Sequence, residues 1–317
     1  MDLLTDVLTL SGVRGTLGAR IEAPENWGVT WSEIPGAAFY ALTAGTAWLK
    51  LPDRPPVQLL PGDVMLLPTG ASHTLSSAKE GVAVPQCDGS VANKARAEGG
   101  VLHLGEGATR TYLVGANYRY DATISTQVFP LLPELVHIRN ENGATCLDDT
   151  VRLLARELAQ REIATDVVLN SLIDILLVQV LRVWLDTHPQ QSQGTWLGVL
   201  GDSLVTESML KLHEHPARSW TTTSLAAEVA VSRATLLRRF AAATGQTPGA
   251  HLTRWRMDLA AVRLRDSDDS IDAIAHSVGY TSVYAFTRAF SRTHTLPPGQ
   301  FRTRTRTRLT EAADARC

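Results

Sequence analysis

The spacing of apolar residues changes character near residue 142. Before it, apolar residues come in short blocks, Phe39 to Leu42, Thr46 to Leu51, Val57 to Leu60 and Val64 to Leu67, broken by Gly45, by Asp53-Arg54-Pro55-Pro56 and by Pro61-Gly62-Asp63. Blocks of that length between such breakers predict strands, and several in close succession predict a barrel or sandwich. Ser76 to Gly100, rich in Gly, Ala and charge, reads mostly as loop, and strand-like sequence resumes from Val101 to about Ile138. After Asn142-Gly143 the spacing turns helical, with Val151, Leu154, Ala155 and Leu158 on one face behind Asp148 and Asp149. A second helix is predicted over Thr165 to Leu185. It is apolar around so much of its circumference that it must be buried, in its own domain or against a second copy of the chain. His188 to Gly194 reads as a linker, and everything from Leu204 onward as helical.

The helical part contains a near-repeat. Leu225-Ala226-Ala227-Glu228-Val229-Ala230-Val231 corresponds to Ile274-Ala275-His276-Ser277-Val278-Gly279-Tyr280. Ser232, Leu236, Arg238 and Phe240 then correspond to Ser282, Phe286, Arg288 and Phe290, with Thr281 as one extra turn residue. Each copy has the parts of a helix-turn-helix: a small residue in the first helix, Ala230 or Gly279 in the turn, Ser232 or Ser282 as N-cap, and a buried i, i+4 pair in the second helix. The face left over carries Arg233, Ala234, Leu237 and Arg238 in the first copy, and Ser282, Val283, Tyr284, Thr287 and Arg288 in the second. Arginine can pair with a guanine edge and an apolar side chain can touch a thymine methyl, so these are the candidate base readers. Arg239, Arg254, Arg256, Arg292 and the run Arg302, Arg304, Arg306, Arg308 are the candidate phosphate contacts. Between the copies, Gly245-Gln246-Thr247-Pro248 ends one helix and a long one is expected from Gly249 to about Arg265. Such a rod suits two recognition helices in major-groove segments about 34 Å apart.

Charge sharpens this division. Arg218 to Arg308 holds fourteen arginines and no lysine against six carboxylates, a net of +8, whereas residues 1–217 sum to −9. A basic C-terminal part suits a polyanion such as double-stranded DNA. The composition, 44% hydrophobic and 20% charged over 317 residues, is that of a globular chain of about two domains. The longest apolar run, Ile173 to Val183, is interrupted by Gln179 and Arg182 and falls short of the roughly 20 residues of a membrane span. The acidic start Met1-Asp2-Leu3-Leu4-Thr5-Asp6 lacks the basic region of a secretory signal, so a cytoplasmic protein without a membrane partner is expected. Cys87, Cys146 and Cys317 lack metal-site spacing and read as thiols. Cys87 is a redox candidate if exposed, although the neighbouring Asp88 disfavours its thiolate; an unreactive surface thiol is the competing reading.

Residues 204–302 resemble the DNA-binding domain of the AraC/XylS transcription regulators. The likeness is carried by Ser224-Leu225-Ala226, Ser232-Arg233, Arg238-Arg239-Phe240, Gly245-Gln246-Thr247-Pro248, Arg254-Trp255-Arg256-Met257, Val278-Gly279-Tyr280, Phe286-Thr287-Arg288-Ala289-Phe290 and Pro298-Gly299-Gln300-Phe301-Arg302. Two departures stand out. Thr295 replaces the usual glycine after the second recognition helix, which is expected to fray that end by about 1 kcal/mol. Ala234 and Leu237 are apolar where the family often has polar readers, so the first copy is expected to anchor more than it reads.

Residues 27–138 resemble the cupin-type sensor of many such regulators, through Gly45 and Pro61-Gly62-Asp63-Val64-Met65-Leu66-Leu67-Pro68-Thr69-Gly70-Ala71-Ser72-His73. Metal-binding cupins add a His-x-His, but here that region reads Phe39-Tyr40-Ala41-Leu42, so no metal or cofactor is expected. Tyr40, Trp48 and His73 are candidates for an effector pocket.

The resemblances imply an α+β chain: a cupin-like barrel over 1–142, a helical linker and dimerisation candidate over 143–195, and an all-α DNA-binding domain over 204–302 with helix-turn-helix units at 223–244 and 271–294. They imply a non-enzymatic regulator, an activator acting with RNA polymerase, a homodimer controlled by a small molecule or a redox signal. The alternative is a metal-dependent cupin enzyme with a helical appendix.

Overall fold

A computed structural model describes residues 2–80, 86–87, 100–121, 123–140, 145–160, 162–188 and 196–314. The chain forms two compact units, and the division is not a single cut. One unit comprises residues 13–120 and 132–188. The other gathers residues 1–12, 121–131 and 189–317. The chain therefore crosses between the two units several times. The linker expected at His188 to Gly194 lies almost wholly outside the described residues, as does the Asn142-Gly143 break.

The first unit is the expected barrel. Its strands are β1 (Arg14–Ala23), β2 (Gly28–Trp31), β3 (Ala37–Ala44), β4 (Ala47–Lys50), β5 (Val57–Leu59), β6 (Val64–Leu67), β7 (His73–Ser76), β8 (Gln86–Cys87), β9 (Val101–His103), β10 (Thr111–Arg119) and β11 (Val136–Ile138). Among the described residues they make one sheet in the order β11-β6-β3-β10-β1-β9 and another in the order β5-β4-β7-β2-β8. Ile21, Trp27, Val29, Leu42, Leu49, Leu59, Met65, Leu67, Leu75 and Leu113 fill the core between them. Asp63 fixes the β5–β6 turn. Its carboxylate accepts from the Leu60 and Asn140 amides at 3.1 and 3.2 Å and lies 3.0 Å from His137 Nε2, and these partners hold its pKa below the usual carboxylate value against the opposing effect of burial.

Two helices complete this unit, α2 (Thr145–Ala159) and α3 (Thr165–Thr187). α2 buries Leu147, Val151, Leu154 and Leu158, close to the face expected from spacing. α3 is long and apolar enough to cross a membrane by length and composition, but it buries Leu169, Ile173, Leu176, Leu177, Val180, Leu181 and Trp184 within the unit. Its polar residues have structural work as well. Asn170 and Asp174, one turn apart, accept from the Leu17 and Gly15 amides of β1 at 3.2 and 2.6 Å, because an i, i+4 helix step nearly matches two strand residues. The other face of α3 leaves Val167 and Ile175 exposed, with Leu153 of α2 also exposed.

The second unit is helical: α1 (Leu3–Leu10), α4 (Ser203–Glu214), α5 (Thr222–Glu228), α6 (Arg233–Thr244), α7 (Pro248–Asp266), α8 (Ile271–Ser277), α9 (Val283–His294) and α10 (Pro298–Asp314). At 19 residues, α7 is about 28 Å long. The Arg302–Arg308 stretch is part of α10 rather than a loose tail, so Arg302, Arg304 and Arg306 point in different directions around a helix.

Candidate functional site

Local sequence dictates the geometry of both helix-turn-helix units. Ser232 and Ser282 stand in extended backbone at the starts of α6 and α9, and their hydroxyls accept from the amides of Thr235 and Ala285 at 3.1 and 3.4 Å. The turns superpose in hydrogen bonding. Val231 and Tyr280 donate their amides to Ala226 and Ala275 at 3.0 and 2.9 Å, and the preceding residue in each case is left-handed: Ala230 at φ 54° and Gly279 at φ 85°. Glycine is needed at 279, where a Cβ would lie 2.7 Å from the Ala217 carbonyl oxygen and 2.8 Å from Arg256 Nη2. Leu236 and Phe240, like Phe286 and Phe290, are fully buried, which turns the remaining faces of α6 and α9 outward.

Those faces differ in chemistry. On α6, Arg233, Ala234 and Arg238 are exposed and Leu237 is half-buried. On α9, Ser282, Val283, Tyr284 and Arg288 are exposed and Thr287 is half-buried. Tyr284 is 72% exposed, far out for an aromatic ring, and the Arg288 guanidinium lies over it at 5.8 Å. The stack holds both side chains ready on the open face.

The arginines expected on phosphates divide into two sets. Arg254 and Arg292 are exposed, and among the described residues neither has an ion pair. Four others, Arg239, Arg256, Arg302 and Arg306, have partners within the protein. Arg239 makes a two-pronged bond to Asp202, Nε to Oδ2 at 3.0 Å and Nη2 to Oδ1 at 2.6 Å, locking α6 to the N-cap of α4. Arg256 donates to the Pro216 and Arg218 carbonyls at 2.6 and 2.9 Å and lies 5.8 Å from the Tyr280 ring. Arg302 donates to the Asp269 carbonyl, and Arg306, four residues on, pairs with Asp268 at 2.7 Å. Arg304 is exposed; the Arg308 side chain lies outside the described residues.

In the barrel unit, a cavity of about 230 Å³ is lined by Gly18, Ala19, Ile21, Trp31, Ile34, Pro35, Tyr40, Gly115, Ala116, Asn117 and Arg119. A β-bulge in β1 falls at Gly18, and Gly115 faces Tyr40 across β10 and β3. Of the three expected pocket residues, Tyr40 lines the cavity and His73 stands behind it. His73 Nδ1 lies 2.7 Å from the Ala71 carbonyl, so it carries the proton, and Nε2 accepts from the Tyr40 hydroxyl at 2.8 Å. Burial lowers the His73 pKa to about 4 and keeps the ring neutral. With both nitrogens engaged, and no other His, Cys, Asp or Glu grouped with it among the described residues, His73 does not fit a metal centre. Trp48 is the misplaced candidate: its neighbours Ala47 and Leu49 point into the core, so strand alternation turns Trp48 to the opposite face. Sequence reading overlooked Trp31, whose indole Nε1 is buried and has no hydrogen-bond partner among the described residues. Cys87 pairs with Trp31 in strand β8, but its side chain lies outside the described residues.

A cupin family model matches residues 2–186, and a helix-turn-helix domain model matches residues 225–304. The chain is 38% identical over 304 residues to a Streptomyces lividans protein named "Putative AraC-like transcription regulator", covering 95% of this chain and 98% of the relative. It is 27% identical over 307 residues to the regulator MtrA of Neisseria gonorrhoeae, again across 95% and 98% of the two chains. Among solved structures, the DNA-binding domain of AdpA in complex with a target DNA is 32% identical, covering 33% of this chain and 94% of that one, with a TM-score of 0.32.

Proposed function

Because the chain belongs to the AraC-like transcription regulators, a DNA-binding family, we propose that it is a ligand-controlled regulator rather than an enzyme, reading sequence mainly through α9. The observation that carries this is the exposed Tyr284–Arg288 pair beside Val283 and Thr287, a mixed polar and apolar surface that suits base edges. On α6, Arg233 and Arg238 serve beside Ala234 and Leu237 chiefly as anchors. Arg254 and Arg292 contact phosphates. The regulator works in the cytoplasm, as an activator that contacts RNA polymerase. It acts as a homodimer whose contact uses the exposed Leu153, Val167 and Ile175.

The effector binds the barrel cavity. Ile21, Ile34, Pro35 and Ala116 favour an apolar body, while Trp31 Nε1, Asn117 and Arg119 favour a molecule bearing hydrogen-bond acceptors. Gel shifts with duplex from the protein's own upstream region test the reading. Specific binding at moderate salt is expected. Replacement of Tyr40 by Phe and Trp31 by Phe should abolish the thermal shift given by any metabolite that stabilises the intact protein. Absence of specific DNA binding with or without such a metabolite overturns the proposal.

A further inference from the structure

The helix bridging the two helix-turn-helix units is held by residues distant in sequence, and this grip serves no need of helix formation. Asp258, in the middle of α7, is fully buried. Its carboxylate accepts from the Ser125 amide and hydroxyl at 2.9 Å, from the Thr126 amide at 2.9 Å and from the Thr126 hydroxyl at 2.7 Å. Two successive residues thus surround one buried charge with donors. Such an arrangement is expensive to assemble and severe to break, since a buried carboxylate stripped of donors has nothing to replace them.

The surroundings extend the grip along α7. Near its C-terminus, Arg265 pairs with Asp121 and with Asp266. His294, the last residue of α9, places Nε2 3.2 Å from the Met257 carbonyl and 3.9 Å from Asp258, so the clamp also meets the end of the second recognition helix. Near the N-terminus of α7, His251 is joined at 2.9 Å to His213 of α4, which reaches Asp6 of α1 at 3.3 Å and stacks on Trp255. Gln246, in the turn directly after α6, completes the series 3.3 Å from His251 Nδ1. Ser11, just after α1, donates its hydroxyl to the Thr126 carbonyl at 3.0 Å and so ties the two gripping segments together.

We propose that Ser125 and Thr126 are positioning residues for DNA reading: by holding Asp258 they fix α7, and with it the separation and orientation at which α6 and α9 meet successive major-groove segments. The proposal rests on DNA binding by the twin units and is independent of what occupies the barrel cavity. Two rigidly joined readers gain affinity only at the spacing their joint permits, whereas loosely joined readers tolerate several spacings and bind each more weakly.

The test is selection from a pool of random DNA duplexes with the full-length protein and its Ser125→Ala/Thr126→Ala variant. The wild type should select two sequence blocks at one fixed spacing. The variant should select the same blocks over a spread of spacings and bind the wild-type site on the order of tenfold more weakly, a fraction of the 10² to 10⁴ that linking two modules can contribute. Thr126→Ser, which keeps a hydroxyl donor, should restore the single spacing. If the double variant does not fold, Thr126→Val and the isosteric Asp258→Asn are read the same way. A variant that melts lower yet selects the wild-type spacing with wild-type affinity shows a purely structural clamp and overturns the proposal.

Discussion

Ala230 and Thr295 hold left-handed backbone with a Cβ attached, at φ 54° and φ 60°, at positions where glycine is the relaxed choice. Thr295 nevertheless takes the left-handed cap position after α9, so the strain of that conformation falls on a residue with a Cβ. Thr295→Gly and Ala230→Gly should therefore each raise stability by about 0.5 to 1 kcal/mol, measured by urea unfolding at constant m-value. Gly279→Ala has the opposite sign and should lower stability by more than 1 kcal/mol, since it adds a backbone collision to an unfavourable φ. Equal effects at 230 and 279 would refute this account of the two turns. The sequence repeat revealed the turns; their handedness was legible at Gly279 and invisible at Ala230 and Thr295, because nothing in those residue types announces positive φ.

At the level of elements, α9 and α6 should respond differently to substitution. Arg288→Ala is expected to cost about 1 to 3 kcal/mol at the preferred site and to relax one base preference, visible as a flattened position in a binding logo. Arg254→Ala and Arg292→Ala should weaken binding almost equally across sequences, each reducing the slope of log K against log salt by about one contact. An unchanged slope would remove that residue from the phosphate contacts. Arg239→Ala should instead lower stability before it alters the slope, because its guanidinium is committed to Asp202. This separation marks a limit of sequence reading. Helix positions and buried stripes followed from spacing, but the count of arginines conveys charge without revealing which of them already have partners. Trp48 shows the same limit in the barrel: an aromatic residue in a strand is conspicuous, while the face it takes depends on the register.

Across the whole molecule, four buried histidines couple stability to pH. Burial lowers His73 and His251 to about 4 and His213 to about 2, and it lowers His294 as well. The unfolded chain binds these protons near pH 6.5, before the folded chain does, so their stabilising contribution is complete above pH 6.5 and declines as pH falls toward 4. Each contributes up to about 1.4 kcal/mol per pH unit in that window. Asp6 and Asp258, both raised by burial, take up protons early in the folded state and offset part of the loss at its acidic end. Unfolding free energies should change little between pH 7.5 and 6.5 and fall steadily at 5.5 and 4.5, and a flat profile would contradict neutral, buried imidazoles.

The chain's crossings between units also bear on how freely its parts can be exchanged. Sequence shows a C-terminal third that looks detachable, because α1 and residues 121–131 carry no mark of their destination; their partners are distant in sequence and the pairing is set by tertiary geometry. A fragment starting at residue 196 would leave behind Ser125, Thr126, Asp121 and the apolar residues Leu3 and Val7 of α1, all of which belong to the helical unit. A chimera joined there to a foreign sensor should melt well below the parent, and one that also carries over α1 and the 121–131 segment should recover most of the difference. For engineers building new sensors on this scaffold, the transplantable piece is three stretches of chain rather than one.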